Sequence, residues 1–346
     1  GTACAMRSTR RTAEMPAAEG TSARASMAPV LDVNDLSVRF RTDEGQLDAV
    51  SGLSFAVHKG ECLGVVGESG SGKSQTFLAM FGLLAPNGAA TGSIRYRGTE
   101  LLNAPRATLD SLRGNRLAMI FQDALSGLTP TMRVGDQMAE VLMRHHGLSR
   151  RDARARIIEA LEVVRIADPE RRFSAYPFEM SGGMRQRVMI AMATLCRPEV
   201  LIADEPTTAL DVTVQAQVLR LLDGLKKHTG TSLVLITHDL GVVAGLCDRV
   251  LIMYAGRAVE LGPVREIFQR PAHPYTQALL RSMPSLSIDP GQDLPVIPGQ
   301  PPDLENLPGG CAFASRCLHT LSACGTDRPR LQTVGADHAR ACHLPA

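Results

Sequence analysis

The chain has 346 residues, 44% of them hydrophobic and 21% charged, with a formal net charge of +2. That length holds one large domain or two smaller ones with ample core, and the near-balanced charge leaves no basic face for a nucleic-acid partner. No stretch approaches the roughly 18 to 20 uncharged apolar residues that span a bilayer, so any membrane role runs through a partner that does span.

Residues 1–27 are rich in Ala, Ser, Thr and Arg and lack both hydrophobic periodicity and the apolar core of a secretory signal. They read as a disordered extension, with Met27 at the start of the folded part. Leu31 to Phe40 alternates as a strand does, and Ala49 to Val57 follows as a second. Cys62 to Val66 is an apolar run closed by a glycine-rich turn, and Ser74 to Leu84 has helical character. That is the strand–loop–helix opening of an α/β unit. From about Asp136 to Ile166 the chain is charged and helical in period, which predicts a helical insertion. Val188 to Cys196, the most apolar run, suits a buried helix. Val200 to Ala203 and Leu233 to Thr237 predict buried strands, and Leu251 to Ala255 with Arg257 to Leu261 a hairpin around Gly256. Beyond Pro271 proline density rises, and Pro284 to Gly310 reads as an extended, weakly structured linker. There is no internal repeat.

Gly67-Glu68-Ser69-Gly70-Ser71-Gly72-Lys73-Ser74 matches the phosphate-loop pattern G-x-x-x-x-G-K-[ST]. Its glycines let consecutive backbone N–H groups turn inward on an anion, and the helix behind presents its positive end to the same point. Lys73 then reaches the β- and γ-phosphates, and the Ser74 hydroxyl can ligate Mg²⁺. Leu201-Ile202-Ala203-Asp204-Glu205 is an apolar strand closing on two carboxylates. Beside a phosphate loop, Asp204 is expected to hold the Mg²⁺ water shell and Glu205 to orient or deprotonate the attacking water. His238, after another buried strand, can face the γ-phosphate. Ser181-Gly182-Gly183 at the start of a helix running to about Cys196 is a second anion trap.

In chain order these segments are Gly67–Ser74, Phe121-Gln122-Asp123, Ser181-Gly182-Gly183, Asp204-Glu205-Pro206, Ala209-Leu210-Asp211 and His238. The series resembles the Walker A, Q-loop, signature, Walker B, D-loop and H-loop of ABC ATPases, over about Pro29 to Ala346. More narrowly, Ile202 to Thr213, Met253-Tyr254-Ala255-Gly256 and His273 to Leu280 resemble the D-type ATP-binding subunits of dipeptide and oligopeptide importers. The resemblance implies an α/β P-loop core over 28–270. It also implies a helical subdomain over about 123–194, an antiparallel β subdomain and a C-terminal extension over 271–346.

Carried over position by position, the resemblance implies that Phe40 stacks on adenine. Gly67, Ser69, Gly70, Ser71, Gly72, Lys73, Ser74 and Thr76 would cradle ATP. Ser74, Gln122 and Asp204 would hold Mg²⁺, with Glu205, His238 and Gln122 as the catalytic set. Ser181, Gly182 and Gly183 would close on the γ-phosphate of a second ATPase subunit, an F-type paralogue, with Asp211 at the seam. The implied partners are two transmembrane permeases and an extracytoplasmic peptide-binding protein. The implied place is peripheral, on the cytoplasmic face of the inner membrane. The segment Ala124 to Pro130 departs from the family pattern near the expected permease contact, which leaves cargo such as nickel or another small solute as an alternative. A soluble, non-transport ABC ATPase is a second alternative, but Lys73 to Ser181 holds no sustained heptads.

Of the eight cysteines, four crowd the tail: Cys311, Cys317, Cys324 and Cys342. In a reducing compartment such a cluster favours a metal over disulfides, and its spacing alone does not separate zinc from iron–sulfur. The resemblance, through Gly310-Cys311 and Arg316-Cys317, implies a [4Fe–4S] cluster.

Overall fold

The computed structural model describes residues 28–123, 127–208, 210–283 and 296–345. Outside the described residues lie the 1–27 extension, Ala124-Leu125-Ser126 of the Q-loop segment, Ala209 of the D-loop and residues 284–295 of the expected linker.

Two strands come first, β1 (Leu31–Arg41) and β2 (Gln46–Val57), then β3 (Cys62–Val66) and helix α1 (Lys73–Met80). Next are β4 (Gly88–Tyr96), β5 (Thr99–Glu100), α2 (Arg106–Leu112) and β6 (Leu117–Ile120). A helical block follows: α3 (Val134–His146), α4 (Arg150–Val163), α5 (Pro169–Phe173) and α6 (Gly182–Thr194). The chain then alternates through β7 (Val200–Asp204), α7 (Val212–Thr229), β8 (Ser232–Ile236) and α8 (Leu240–Leu246). The hairpin β9 (Arg249–Tyr254) and β10 (Arg257–Pro263) leads to α9 (Val264–Gln269) and α10 (Pro274–Arg281). The tail adds α11 (Ala323–Thr326), β11 (Gln332–Gly335) and β12 (His338–Arg340).

These elements form two sheets. An antiparallel sheet runs β2-β1-β4-β5, and an eight-stranded sheet runs β11-β12-β10-β9-β3-β8-β7-β6. Within the second, β9, β3, β8, β7 and β6 are parallel. Their short, unbroken apolar runs suit this place, because a parallel strand is covered on both faces; every residue of β3, β7 and β8 is buried. One apolar cluster lies between the two sheets, around Leu31, Leu53, Phe77 and Ile202. A second joins the helical block to the parallel sheet through Met138, Ile157, Ile190 and Leu201.

The helical insertion is two helices rather than one run. Gly147, at φ 63°, closes α3 by donating its N–H to Met143 O at 3.1 Å. Ser149 opens α4, its Oγ accepting from the Asp152 N–H at 3.2 Å.

The tail is less loop-like than its composition predicts. β12 pairs with β10 through Glu260–Arg340 and Leu261–Ala339, so the last residues of the chain extend the central sheet. A third core cluster is shared between sheet and tail. In it the rings of Tyr254, Tyr275 and Phe313 stand 4.7 to 5.4 Å apart, centroid to centroid; each such pair contributes about 0.5–1.5 kcal/mol beyond area burial. Burial, then the charge of Arg340, push the His273 imidazole down to about 4. Neutral His273 accepts the Tyr275 N–H at Nδ1, 3.0 Å away, and so caps α10.

The join depends on Glu260, which is 0% exposed. Its carboxylate accepts the N–H groups of Ala272 at 2.7 Å and His273 at 3.0 Å, and lies 2.7 Å from His338 Nε2. Glu260→Ala would leave these groups buried without an acceptor, at a cost of about 3–5 kcal/mol. Thermal unfolding should show a lowered midpoint, and limited proteolysis should cut first beyond residue 270; an unchanged midpoint would show that the tail is anchored elsewhere.

Candidate nucleotide site

The phosphate loop crosses the C-terminal end of β3, where the main chain is so close to its neighbours that side chains do not fit. A Cβ on Gly67 would lie 2.2 Å from Met253 O, and one on Gly72 would lie 2.2 Å from Ala49 O. Gly72 also has φ 89°, a left-handed conformation that an L side chain rarely adopts. Lys73 is buried, its Nζ donating to Gly67 O at 2.8 Å and Glu68 O at 2.9 Å. Burial lowers its proton affinity, while the carboxylates of Glu205, Asp204 and Glu68 act to raise it. Ser69 and Gly70 are exposed, Ser71 is buried and Ser74 half-buried. Thr76 is buried on α1 with its hydroxyl turned back onto Gly72 O at 3.1 Å.

Two neighbouring acids at the end of β7 are tuned in opposite directions. Asp204 is buried, and that burial raises its carboxyl above the usual range against the lowering effect of a hydrogen bond from Ser74. Its Oδ1 is buried without a hydrogen-bond partner. An orphan carboxylate oxygen beside the loop serine is an oxygen donor set that a hard divalent cation takes, so these residues fit Mg²⁺. Burial also pushes Glu205 up, but hydrogen bonds with Thr208 and His238 and the charges of His238 and Lys73 hold it below the usual range. Glu205 has φ 44°, and its N–H donates to Ile236 O at 2.9 Å, which fixes the carboxylate beyond the strand end.

Onto that carboxylate three segments converge. Gln122 Nε2 donates to Oε2 at 3.0 Å, Thr208 Oγ1 donates to Oε2 at 2.8 Å, and His238 Nδ1 lies 3.3 Å from Oε1. Gln122 and His238 were both expected from sequence; Thr208 was not, although its place three residues after Glu205 in the same turn was the available signal.

Ser181, Gly182 and Gly183 stand apart from this cluster. Ser181 is exposed and caps α6, its Oγ accepting the Met184 N–H at 3.3 Å. A Cβ on Gly183 would lie 2.9 Å from Val214 Cγ1, so the start of α6 packs against the start of α7. Asp211 caps α7, accepting the Val214 N–H at 2.9 Å, and Val212 beside it is 82% exposed. Phe40, half-buried on β1, pairs with Leu47 on β2 and Gly88 on β4.

Residues 50–208 match the ABC transporter family, and residues 259–324 match the C-terminal region of oligopeptide/dipeptide transporters. The oligopeptide transport ATP-binding protein OppD of Salmonella typhimurium is 52% identical over 316 residues, 91% of this chain and 94% of that protein. The dipeptide transport ATP-binding protein DppD of Bacillus subtilis is 47% identical over 321 residues, 92% of this chain and 95% of that one. The chain belongs to the ATP-binding subunits of oligopeptide and dipeptide ABC transporters. Among solved structures, the bacterial ABC transporter cassette MJ0796, a dimer, superposes with a TM-score of 0.61 at 25% identity, covering 68% of this chain and 99% of that one. CbiO1 of Clostridium perfringens gives 0.58 at 27% identity, covering 70% of this chain and 91% of that one. The ABC ATPase fold, with its helical and antiparallel β subdomains, is therefore shared.

In this peptide-transporter ATPase the four tail cysteines form no disulfide with one another. Cys311, Cys317, Cys324 and Cys342 all line one small cavity with His273, His319 and His343. Burial, and then the neighbouring thiols, push the Cys311 thiol up. Among the described residues no group of three or more His, Cys, Asp or Glu side chains is arranged to hold a metal ion.

Because Glu205 is ionised and held by three partners, Glu205→Gln should lower ATP turnover by at least about a hundredfold while Mg-ATP binding is kept. Steady-state hydrolysis and equilibrium binding of a fluorescent ATP analogue measure the two separately. Wild-type turnover in the variant would remove Glu205 from the chemistry.

Proposed function

We propose that the chain binds and hydrolyses ATP as one of a pair of ATPase subunits, and that the pair powers import of di- or oligopeptides through partner permeases. The observation that carries the chemistry is the convergence of Gln122, Thr208 and His238 on the Glu205 carboxylate, next to the buried ammonium of Lys73. The triphosphate lies along Gly67–Ser74, where backbone N–H groups and Lys73 neutralise it. Ser74 and Asp204 would hold Mg²⁺, which supplies charge neutralisation at the β- and γ-phosphates when bound. The low proton affinity of Glu205 keeps it anionic, so it orients the attacking water and accepts its proton as phosphoryl transfer proceeds. Gln122 and His238 hold that carboxylate in line and face the γ-phosphate. Phe40 stacks on the adenine.

The tip formed by exposed Ser181 and Gly182 with half-buried Gly183 would cap the γ-phosphate of a second subunit, with Asp211 and Val212 at the seam. ATP then holds the pair closed and hydrolysis releases it; that difference in affinity does the mechanical work on the permease. Peptide cargo is supported by the match of 259–324 to the peptide-transporter C-terminal region and by the names of the relatives. Among the described residues no helix is long and apolar enough to cross a membrane. A peripheral place on the cytoplasmic face, under two permeases and served by an extracytoplasmic peptide-binding protein, follows from this role. Ser181→Arg should leave ATP binding by the isolated chain intact and abolish peptide-stimulated hydrolysis in the reconstituted transporter. Stimulation surviving in that variant would exclude the paired arrangement.

A [4Fe–4S] cluster held by Cys311, Cys317, Cys324 and Cys342, in preference to zinc, is carried over from the family resemblance through Gly310-Cys311 and Arg316-Cys317, and the lining of one small cavity by all four side chains supports a shared centre. The four cysteine thiolates would hold such a cluster, which would cross-link the tail; ATP hydrolysis draws on no redox step. Anaerobically purified protein should be brown, with about four irons per chain, and Cys317→Ser should lose both colour and iron. A colourless protein with one zinc per chain would decide against the cluster.

A further inference from the structure

Side chains of the tail reach the phosphate loop at Glu68, Tyr275 at its amide and Arg316 at its carboxylate. Arg316, the residue before Cys317, ends a short 3₁₀ turn and is 8% exposed. Its Nη1 lies 2.9 and 3.1 Å from the two carboxylate oxygens of Glu68, the second residue of the loop, and donates to Tyr254 Oη at 3.1 Å. Its Nε donates to Pro298 O at 3.0 Å. The guanidinium also stands 5.8 Å from the Tyr254 ring centroid and 5.9 Å from that of Phe313. The Glu68 N–H donates to Tyr275 Oη at 3.2 Å, and the Glu68 carbonyl accepts from Lys73 Nζ at 2.9 Å. Residue 68 is thus fixed at its amide and its carboxylate from the C-terminal part of the chain, and at its carbonyl by the phosphate-binding lysine.

A carboxylate in a loop that receives a triphosphate needs such a restraint. Unpaired, it repels the phosphates across a few ångströms of partly dry protein, where charges are weakly screened. It is also close enough to the Lys73 ammonium to act on its protonation, and released from Arg316 it would compete with phosphate for that lysine. Packing of Arg316 against Tyr254, Phe313 and the Pro298 carbonyl keeps the guanidinium on Glu68, the carboxylate with which it forms an ion pair among the described residues.

We propose that Arg316 is a positioning residue for ATP: by holding the Glu68 carboxylate away from Lys73, the cysteine-bearing tail completes the phosphate loop. This rests on Gly67–Ser74 being the triphosphate cradle, and the experiment separates the two. In the full chain, equilibrium binding of a fluorescent ATP analogue is compared for wild type, Lys73→Ala, Arg316→Gln and the double variant Glu68→Gln/Arg316→Gln. KM and kcat are measured alongside. Arg316→Gln should weaken binding by about ten- to thirtyfold and raise KM with little change in kcat. The double variant, with no charge left to balance, should recover to within about threefold of wild type. A merely structural arginine would not be rescued by neutralising its partner. Equal weakness of the single and double variants, failure of the double variant to fold, or wild-type affinity in Arg316→Gln while Lys73→Ala has lost binding overturns the role of Arg316. Wild-type affinity in Lys73→Ala overturns the cradle itself.

Discussion

At the end of β3 the main chain passes within contact distance of two backbone carbonyls, Met253 O beside Gly67 and Ala49 O beside Gly72. That absence of space is the constraint on which the site depends. One carbonyl belongs to the last parallel strand and the other to the antiparallel sheet, so the loop takes its shape only when both sheets are in place. The cradle is a product of packing between subdomains, with the glycines as the condition that lets them approach.

Around that loop, electrostatics divides labour between two adjacent carboxylates. Asp204 lies within the covered end of β7, where desolvation raises its proton affinity and leaves one oxygen seeking a donor or a cation. Glu205, one residue on, leaves the strand in a left-handed conformation and enters a ring of hydrogen bonds that favours its anion. A change of one backbone conformation thus separates a buried carboxyl of raised proton affinity from a neighbour held as the anion. The same ring binds the site to its surroundings: Gln122 lies on the way to the helical block and His238 follows β8, so a shift in either element is felt at the carboxylate.

The tail is joined to this machinery at two levels. β12 adds to the central sheet through the buried Glu260, and Tyr275, Phe313 and Arg316 close over Tyr254 immediately behind the phosphate loop. The cysteine cavity lies against the same helix cap, His273. A segment that reads as an appendage is, in packing terms, a wall of the nucleotide-binding unit.

Much of the site was legible in the sequence because its parts are local. A phosphate loop needs glycines, Lys73 and Ser74 at fixed spacing between a buried strand and a helix, and Asp204 and Glu205 mark a strand end; periodicity and chain order suffice for these. The strands β4 and β6 and the tail hairpin β11–β12 escaped that reading, being short or polar and stabilised by the neighbours they pair with. The break in the helical insertion lay in Gly147 and Ser149, two cap residues within an otherwise periodic run. Arg316 and Glu68 are far apart in the chain, and no spacing rule joins them; a surface arginine and a loop acid look like solvated charges until a fold buries one against the other. By itself the sequence determined which groups could handle phosphate and water, since that is a matter of residue chemistry and local backbone. Only the tertiary structure decided which charges are desolvated, which are paired, and that the tail stands behind the loop, because burial and long-range contact exist only once the chain has closed on itself.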